Sequence, residues 1–230
     1  MDPQSLYSHG NQLRLAGQLQ QAIAAYRQVL AADATHTDAW FGLALALQAN
    51  GQLHEAVDAY RHVVSLQPDY AEAYSNLGSV LWLIGQADQA IAACRTAIAL
   101  KPQLPMAHNN LGTALQSKGE LKESLAAFRQ ALALRPHFAA GWYNLGNALR
   151  ARFDWEQALA ALAKAVEIQP DYSEALINMG TTLKDMGRLD EAIECYDRAI
   201  AAHPQRADVA SSRLFALQFH PNCDAKTLRL

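Results

Sequence analysis

Long apolar runs are missing from this 230-residue sequence. The longest uncharged stretch, Ala39 to His54, is interrupted by Gln48, Asn50, Gly51 and Gln52, so no membrane span is expected. The first residues, Met1 to Ser5, lack the basic region and apolar core of a secretory signal. Cysteine is scarce: Cys94, Cys195 and Cys223 are odd in number, far apart and never in a CxxC pair. That excludes a zinc knuckle or a disulfide framework and points to a reduced, cytoplasmic setting. Basic charge is not in excess either. Nineteen Lys and Arg face 22 Asp and Glu, for a net charge of −3. This argues against nucleic acid as the main partner and against a polybasic membrane anchor. There is no GxSxG, Walker loop, HExxH or GxGxxG, so no catalytic residue, metal or cofactor is expected in this chain. Acidic pairs such as Asp190–Glu191 fall in the first turn of a predicted helix, where they complement its dipole.

What is abundant is repetition. Pro68, Pro102, Pro136, Pro170 and Pro204 stand 34 residues apart. Gly17, Gly51, Gly85, Gly119 and Gly187 keep the same step, with Phe153 in the remaining place. Leu13, Leu47, Leu81, Leu115, Leu149 and Leu183 do so as well. Six units follow: 3–36, 37–70, 71–104, 105–138, 139–172 and 173–206, each numbered here from position 1 to position 34. A further segment, 207–230, reads as a capping helix and the start of whatever follows it.

Each unit predicts a helix, a turn and a second helix. In the fifth, Trp142, Leu145, Gly146 and Leu149 share one helical face, and Ala158, Leu162 and Ala165 share another. The glycine at position 15 suits the left-handed residue that ends a helix. The proline at position 32 stops the second helix, because it has no N–H and clashes with the preceding turn. Small residues at positions 8 and 20 allow close helix approach. Three tryptophans, Trp40, Trp142 and Trp155, fall at positions expected in the core. His108 takes the place of a tryptophan at position 4, and Cys94 that of an aromatic at position 24; both are expected to be packed rather than reactive.

The pattern Trp-x2-Leu-Gly-x2-Leu, then Ala-x3-Leu, then Pro, resembles the tetratricopeptide repeat. The resemblance implies an all-α superhelical solenoid of six helix-turn-helix repeats plus a C-terminal capping helix. It also implies that the first helices line a concave groove. Position 6 of the first helix would face that groove, and it carries Asn76, Asn110, Asn144 and Asn178 in four successive units. A carboxamide offers both donors and an acceptor, so such a row can pair with the backbone of an extended peptide whatever its sequence. The competing expectation is that each asparagine bonds the adjacent helix and stabilises stacking. Flanking candidates are Asn109 and Tyr143 at position 5 and Thr113, Asn147 and Thr181 at position 9. Position 12 also looks into the groove and supplies Trp82, Arg150 and Lys184. Trp82 reads equally as a binding anchor or as packing against the next unit. Positions 2 and 5 hold no lysine or arginine, which disfavours a clamp for a chain-terminal carboxylate.

Beyond the sixth unit, Ser211-Ser-Arg-Leu214, Leu217, Phe219-His-Pro221 and Asp224 resemble the segment that follows the last repeat in protein O-GlcNAc transferases and SPINDLY proteins. Ser212 and Phe219 replace that family's usual asparagine and tyrosine. The asparagine row is also a feature of that family's groove. The resemblance implies the substrate-recruiting arm of a protein O-glycosyltransferase whose UDP-sugar chemistry resides in a separate domain. It leaves self-association through the convex face open to the chain. The alternative expectation is a free-standing adaptor that assembles a protein complex. On either, the partner is a protein or an extended peptide segment.

Overall fold

A computed structural model describes residues 2–205 and 207–218. Their helices are α1 (Pro3–Leu15), α2 (Leu19–Ala32), α3 (Thr37–Ala49), α4 (Leu53–Leu66), α5 (Ala71–Leu83), α6 (Ala87–Leu100), α7 (Pro105–Ser117), α8 (Leu121–Leu134), α9 (Ala139–Ala151), α10 (Trp155–Ile168), α11 (Ser173–Asp185), α12 (Leu189–Ala202) and α13 (Ala207–Gln218). No strand occurs among the described residues. First helices start at position 1 of every repeat and second helices at position 17, as the period requires. Cys223 and the tail from Phe219 to Asp224 lie outside the described residues. The chain divides into two compact units, residues 1–120 and 121–230. Both are built from neighbouring helices packed in chain order.

The turns explain why the helices stop on schedule. Gly17 donates its N–H to Arg14 at 3.1 Å, and Gln18 donates to Leu13 at 2.9 Å. This pair of bonds is the Schellman closure of a helix C-terminus, and it needs one left-handed residue. Gly17 supplies it at φ 75°. Phe153 makes the same closure, donating to Arg150 at 2.9 Å while Asp154 donates to Leu149 at 3.0 Å. It does so at φ 62°, a conformation that costs an L-residue about 1–2 kcal/mol. Its ring is 73% exposed and stands edge-on to Trp155, with centroids 5.3 Å apart. The repeat register is therefore strong enough to impose the turn on a residue that disfavours it.

Close packing between the helices of a pair rests on position 8 facing position 24. A Cβ built on Gly10 would lie 2.9 Å from the Tyr26 ring, and one on Gly180 would lie 2.7 Å from Tyr196. At position 20, Ala22, Ala56, Ala90, Ser124, Ala158 and Ala192 are fully buried.

Position 4 locks the repeat junction. Trp40 Nε1 donates to the Ala34 carbonyl at 2.8 Å, and Trp142 Nε1 donates to Pro136 at 2.8 Å. His108 puts Nε2 2.8 Å from the Pro102 carbonyl, the equivalent place. A carbonyl only accepts, so this contact requires the proton on Nε2. His108 thus replaces a tryptophan by reproducing its N–H. Trp40, Trp142 and Trp155 are half-buried rather than enclosed in the core as their pattern suggested. For the first two the physical reason is this bond, which holds the indole beside an exposed inter-repeat turn.

Candidate functional site

The first-helix face carries the asparagines, and their hydrogen bonds have a shared direction. In the first unit, Asn110 on α7 donates Nδ2–H to the Ser75 carbonyl on α5 at 3.0 Å, with Ser75 Oγ at 3.3 Å. Asn76 hydrogen-bonds the Tyr60 hydroxyl, which in turn donates to Gln48 Oε1 at 2.9 Å. Because the Tyr60 proton goes to Gln48, the Asn76 amide is the donor. In the second unit, Asn178 on α11 donates Nδ2–H to Asn147 Oδ1 on α9 at 2.7 Å, with the Tyr143 hydroxyl at 3.4 Å. In these three residues the amide nitrogen is tied to the repeat before it. All three residues are half-buried. Asn144 is likewise half-buried. The carboxamides of Asn76, Asn110 and Asn178 thus stand as oriented groups, each held at its donor end.

The flanking candidates separate. Tyr143 and Asn147 meet Asn178 directly, and Tyr143 lies against Tyr172 with centroids 5.1 Å apart. Asn109 is buried. It was expected at the groove, but burial at 6% exposure leaves little of its side chain to meet a ligand. Thr113 and Thr181 donate their hydroxyl protons to their own helices, at Asn109 (3.1 Å) and Ile177 (2.9 Å). Trp82 is 36% exposed. Lys184 lies 2.9 Å from Asp185 and 5.4 Å from the centre of the Phe215 ring. Arg150 is half-buried, and its Nε is enclosed with no hydrogen-bond partner.

Three tyrosines missing from the sequence-based candidates complete this face. Tyr26, Tyr60 and Tyr196 at position 24 are fully buried, and their hydroxyls meet first-helix side chains. Tyr26 donates to Asn11 Oδ1 at 2.7 Å, and Tyr196 lies 3.3 Å from Thr181 Oγ1. Burial pushes the pKa of all three phenols up, so they remain neutral donors. The available signal was the hydroxyl itself: a phenol at a core position demands a polar partner, and positions 9, 12 and 6 supply one.

Neither described cysteine suits nucleophilic chemistry. Cys94 and Cys195 are buried, and burial drives their thiol pKa values up to about 12 and about 11. No group of three or more potential metal ligands occurs among the described residues. No helix among them is long and apolar enough to cross a membrane.

Comparison with known families and structures agrees with this architecture. Models of the tetratricopeptide repeat match residues 10–51, 43–105, 114–151 and 137–205. No curated protein matches the chain by sequence. Among solved structures, a chain of the APC/C hetero-tetramer Cut9–Hcn1 is similar over 94% of this chain, with a TM-score of 0.84 and 21% identity. The chain spans 43% of that structure's length. The type IV pilus biogenesis factor PilW is similar over 91% of this chain and 97% of its own, with a TM-score of 0.83 and 20% identity. YrrB, a TPR protein with an unusual peptide-binding site, is similar over 82% of this chain and 97% of its own, with a TM-score of 0.60 and 21% identity.

Proposed function

We propose that this chain, which belongs to the tetratricopeptide-repeat family, is a protein-binding scaffold that grips an extended segment of its partner on the first-helix face. The observation that carries the reading is the shared orientation of Asn76, Asn110 and Asn178. Each has its amide nitrogen anchored by the preceding repeat, which fixes the rotamer before a ligand arrives. A pre-set acceptor loses little entropy when a peptide N–H meets it. Within the first unit, Asn76 and Asn110 stand one repeat apart and can meet successive parts of one strand. Side chains of the partner would then be read by Tyr143 and Trp82. YrrB supplies a precedent for peptide binding on this fold.

A second reading, the recruiting arm of a protein O-glycosyltransferase, is favoured by the asparagine series together with the segment Ser211 to Asp224. The matched family models describe the repeat alone, so this reading rests on those residues. A coding sequence for a nucleotide-sugar-binding domain directly after Leu230 would support it. An unrelated or absent continuation would leave the adaptor.

The test uses a peptide selected on the intact chain from a random library. One neutral hydrogen bond contributes about 0.5–1.5 kcal/mol net, so Asn110→Ala and Asn178→Ala should each weaken binding by about 2- to 12-fold. Both changes also remove an inter-repeat bond and should lower the thermal midpoint slightly. Asn178→Asp keeps an acceptor while losing the donor to Asn147, so it should cost stability more than affinity. Unchanged affinity per folded molecule in both alanine variants would end the proposal.

A further inference from the structure

Arg150 is the position-12 cation for which no acceptor is found, although the Nε of Arg14 at the same position is likewise enclosed without a hydrogen-bond partner. Arg150 sits in the last turn of α9, half-buried, with Nε enclosed and no hydrogen-bond acceptor. Several carboxylates of its unit are claimed by other cations. Asp154 pairs with Arg152 at 3.4 Å, Asp185 with Lys184 at 2.9 Å, Glu191 with Arg188 at 2.7 Å, and Asp197 with Arg213.

The first repeat shows what is missing. Arg14 occupies the same position and hydrogen-bonds the Tyr26 hydroxyl at position 24 of its own repeat. In the fifth repeat position 24 is Leu162, fully buried and without an acceptor. The same cation is therefore retained where its internal partner has been lost. Leaving a guanidinium partly desolvated and unpaired is costly unless something else pairs with it. Its fork of donors matches a carboxylate in two parallel bonds.

Its position says what that partner belongs to. Asn147, one helical turn earlier on α9, accepts the bond from Asn178 at 2.7 Å. On the next repeat the positive charge of Arg150 reaches the Tyr196 hydroxyl. Arg150 thus borders the carboxamides that hold the strand in the reading above. Lys184 contributes less, because Asp185 already neutralises it.

We infer that Arg150 receives a side-chain carboxylate of the bound segment, so that the second unit selects extended peptides carrying an aspartate or glutamate at one register. This rests on the peptide-binding reading. It adds a class of ligand to a face that otherwise recognises backbone.

The test selects peptides from one random library on the intact chain and on Arg150→Gln. The unaltered chain should enrich an acidic residue at a single register, and Arg150→Gln should lose that enrichment while still binding peptides. In a selected peptide, exchanging that Glu for Gln should weaken binding to the unaltered chain by about ten- to hundredfold, as charge-assisted hydrogen bonds do, and hardly alter binding to Arg150→Gln. Peptides enriched without an acidic position, or with one that Arg150→Gln retains, would overturn this inference alone. No enrichment of any peptide on the unaltered chain would overturn the peptide-binding reading and this inference with it. Should Arg150→Gln melt early, the Glu-to-Gln exchange measured on the unaltered chain decides by itself.

Discussion

Tyr60→Ala should destabilise the first unit by about 3–5 kcal/mol, the range for truncating a large buried aromatic. The ring is completely buried and meets Phe41 edge-on, with centroids 5.9 Å apart. At roughly 2–4 °C per kcal/mol for a chain of this size, the thermal midpoint should fall by about 6–20 °C. Repeat proteins couple mainly through neighbours, so the loss should concentrate in α3, α4 and α5. Hydrogen exchange resolved by helix reads this directly. Tyr60→Phe isolates the hydroxyl. It keeps the packing and removes the acceptor of Asn76 and the donor to Gln48, at a cost of about 1 kcal/mol. Because Tyr60 holds the Asn76 amide, this variant should also weaken a selected peptide, although Tyr60 itself need not touch it. A loss below about 1 kcal/mol for Tyr60→Ala would mean that the position-24 ring is not the keystone of its repeat.

How far the fold could be read from sequence depends on which physical constraint repeats. Position 15 needs a left-handed residue and position 32 needs no N–H, so Gly and Pro mark them directly, and helix limits follow to the residue. Position 8 has to be small because position 24 is large, and that reciprocity is also visible in the sequence. Orientation of polar groups is a different matter. Nothing in a run of asparagines says which end of the carboxamide the neighbouring repeat takes, since Ser75, Tyr60 and Asn147 are three different partners at three different positions. Asn109 and Asn110 are adjacent in sequence, yet one is buried and the other half-exposed, because helical rotation of about 100° per residue moves them onto different neighbours. The unmatched state of Arg150 needed the structure as well: it emerges only from the hydrogen bonds its enclosed Nε fails to make.

Gly78→Ala should be the most damaging single methyl in the first unit. A Cβ there would lie 2.4 Å from Cys94 Sγ, 3.1 Å from the Ala90 carbonyl oxygen and 3.4 Å from the Cys94 nitrogen. Sulfur can rotate away, but the Ala90 carbonyl and the Cys94 nitrogen are backbone, so α6 has to withdraw from α5. Overpacking of this kind costs about 1–3 kcal/mol. Alanine regains about 1 kcal/mol over glycine in a helix interior, which leaves a net loss of up to about 2 kcal/mol. Gly85→Ala provides the contrast. Its Cβ meets nothing within 4 Å, so its cost comes from a backbone held at φ 79°. Removing the sulfur tests which contact dominates. In a Cys94→Ala background, Gly78→Ala should lose most of its penalty, giving a coupling energy of about 1 kcal/mol between the two sites. Full additivity of the two changes would show that the backbone of α6, and not the side chain at position 24, sets the distance between the helices of a repeat.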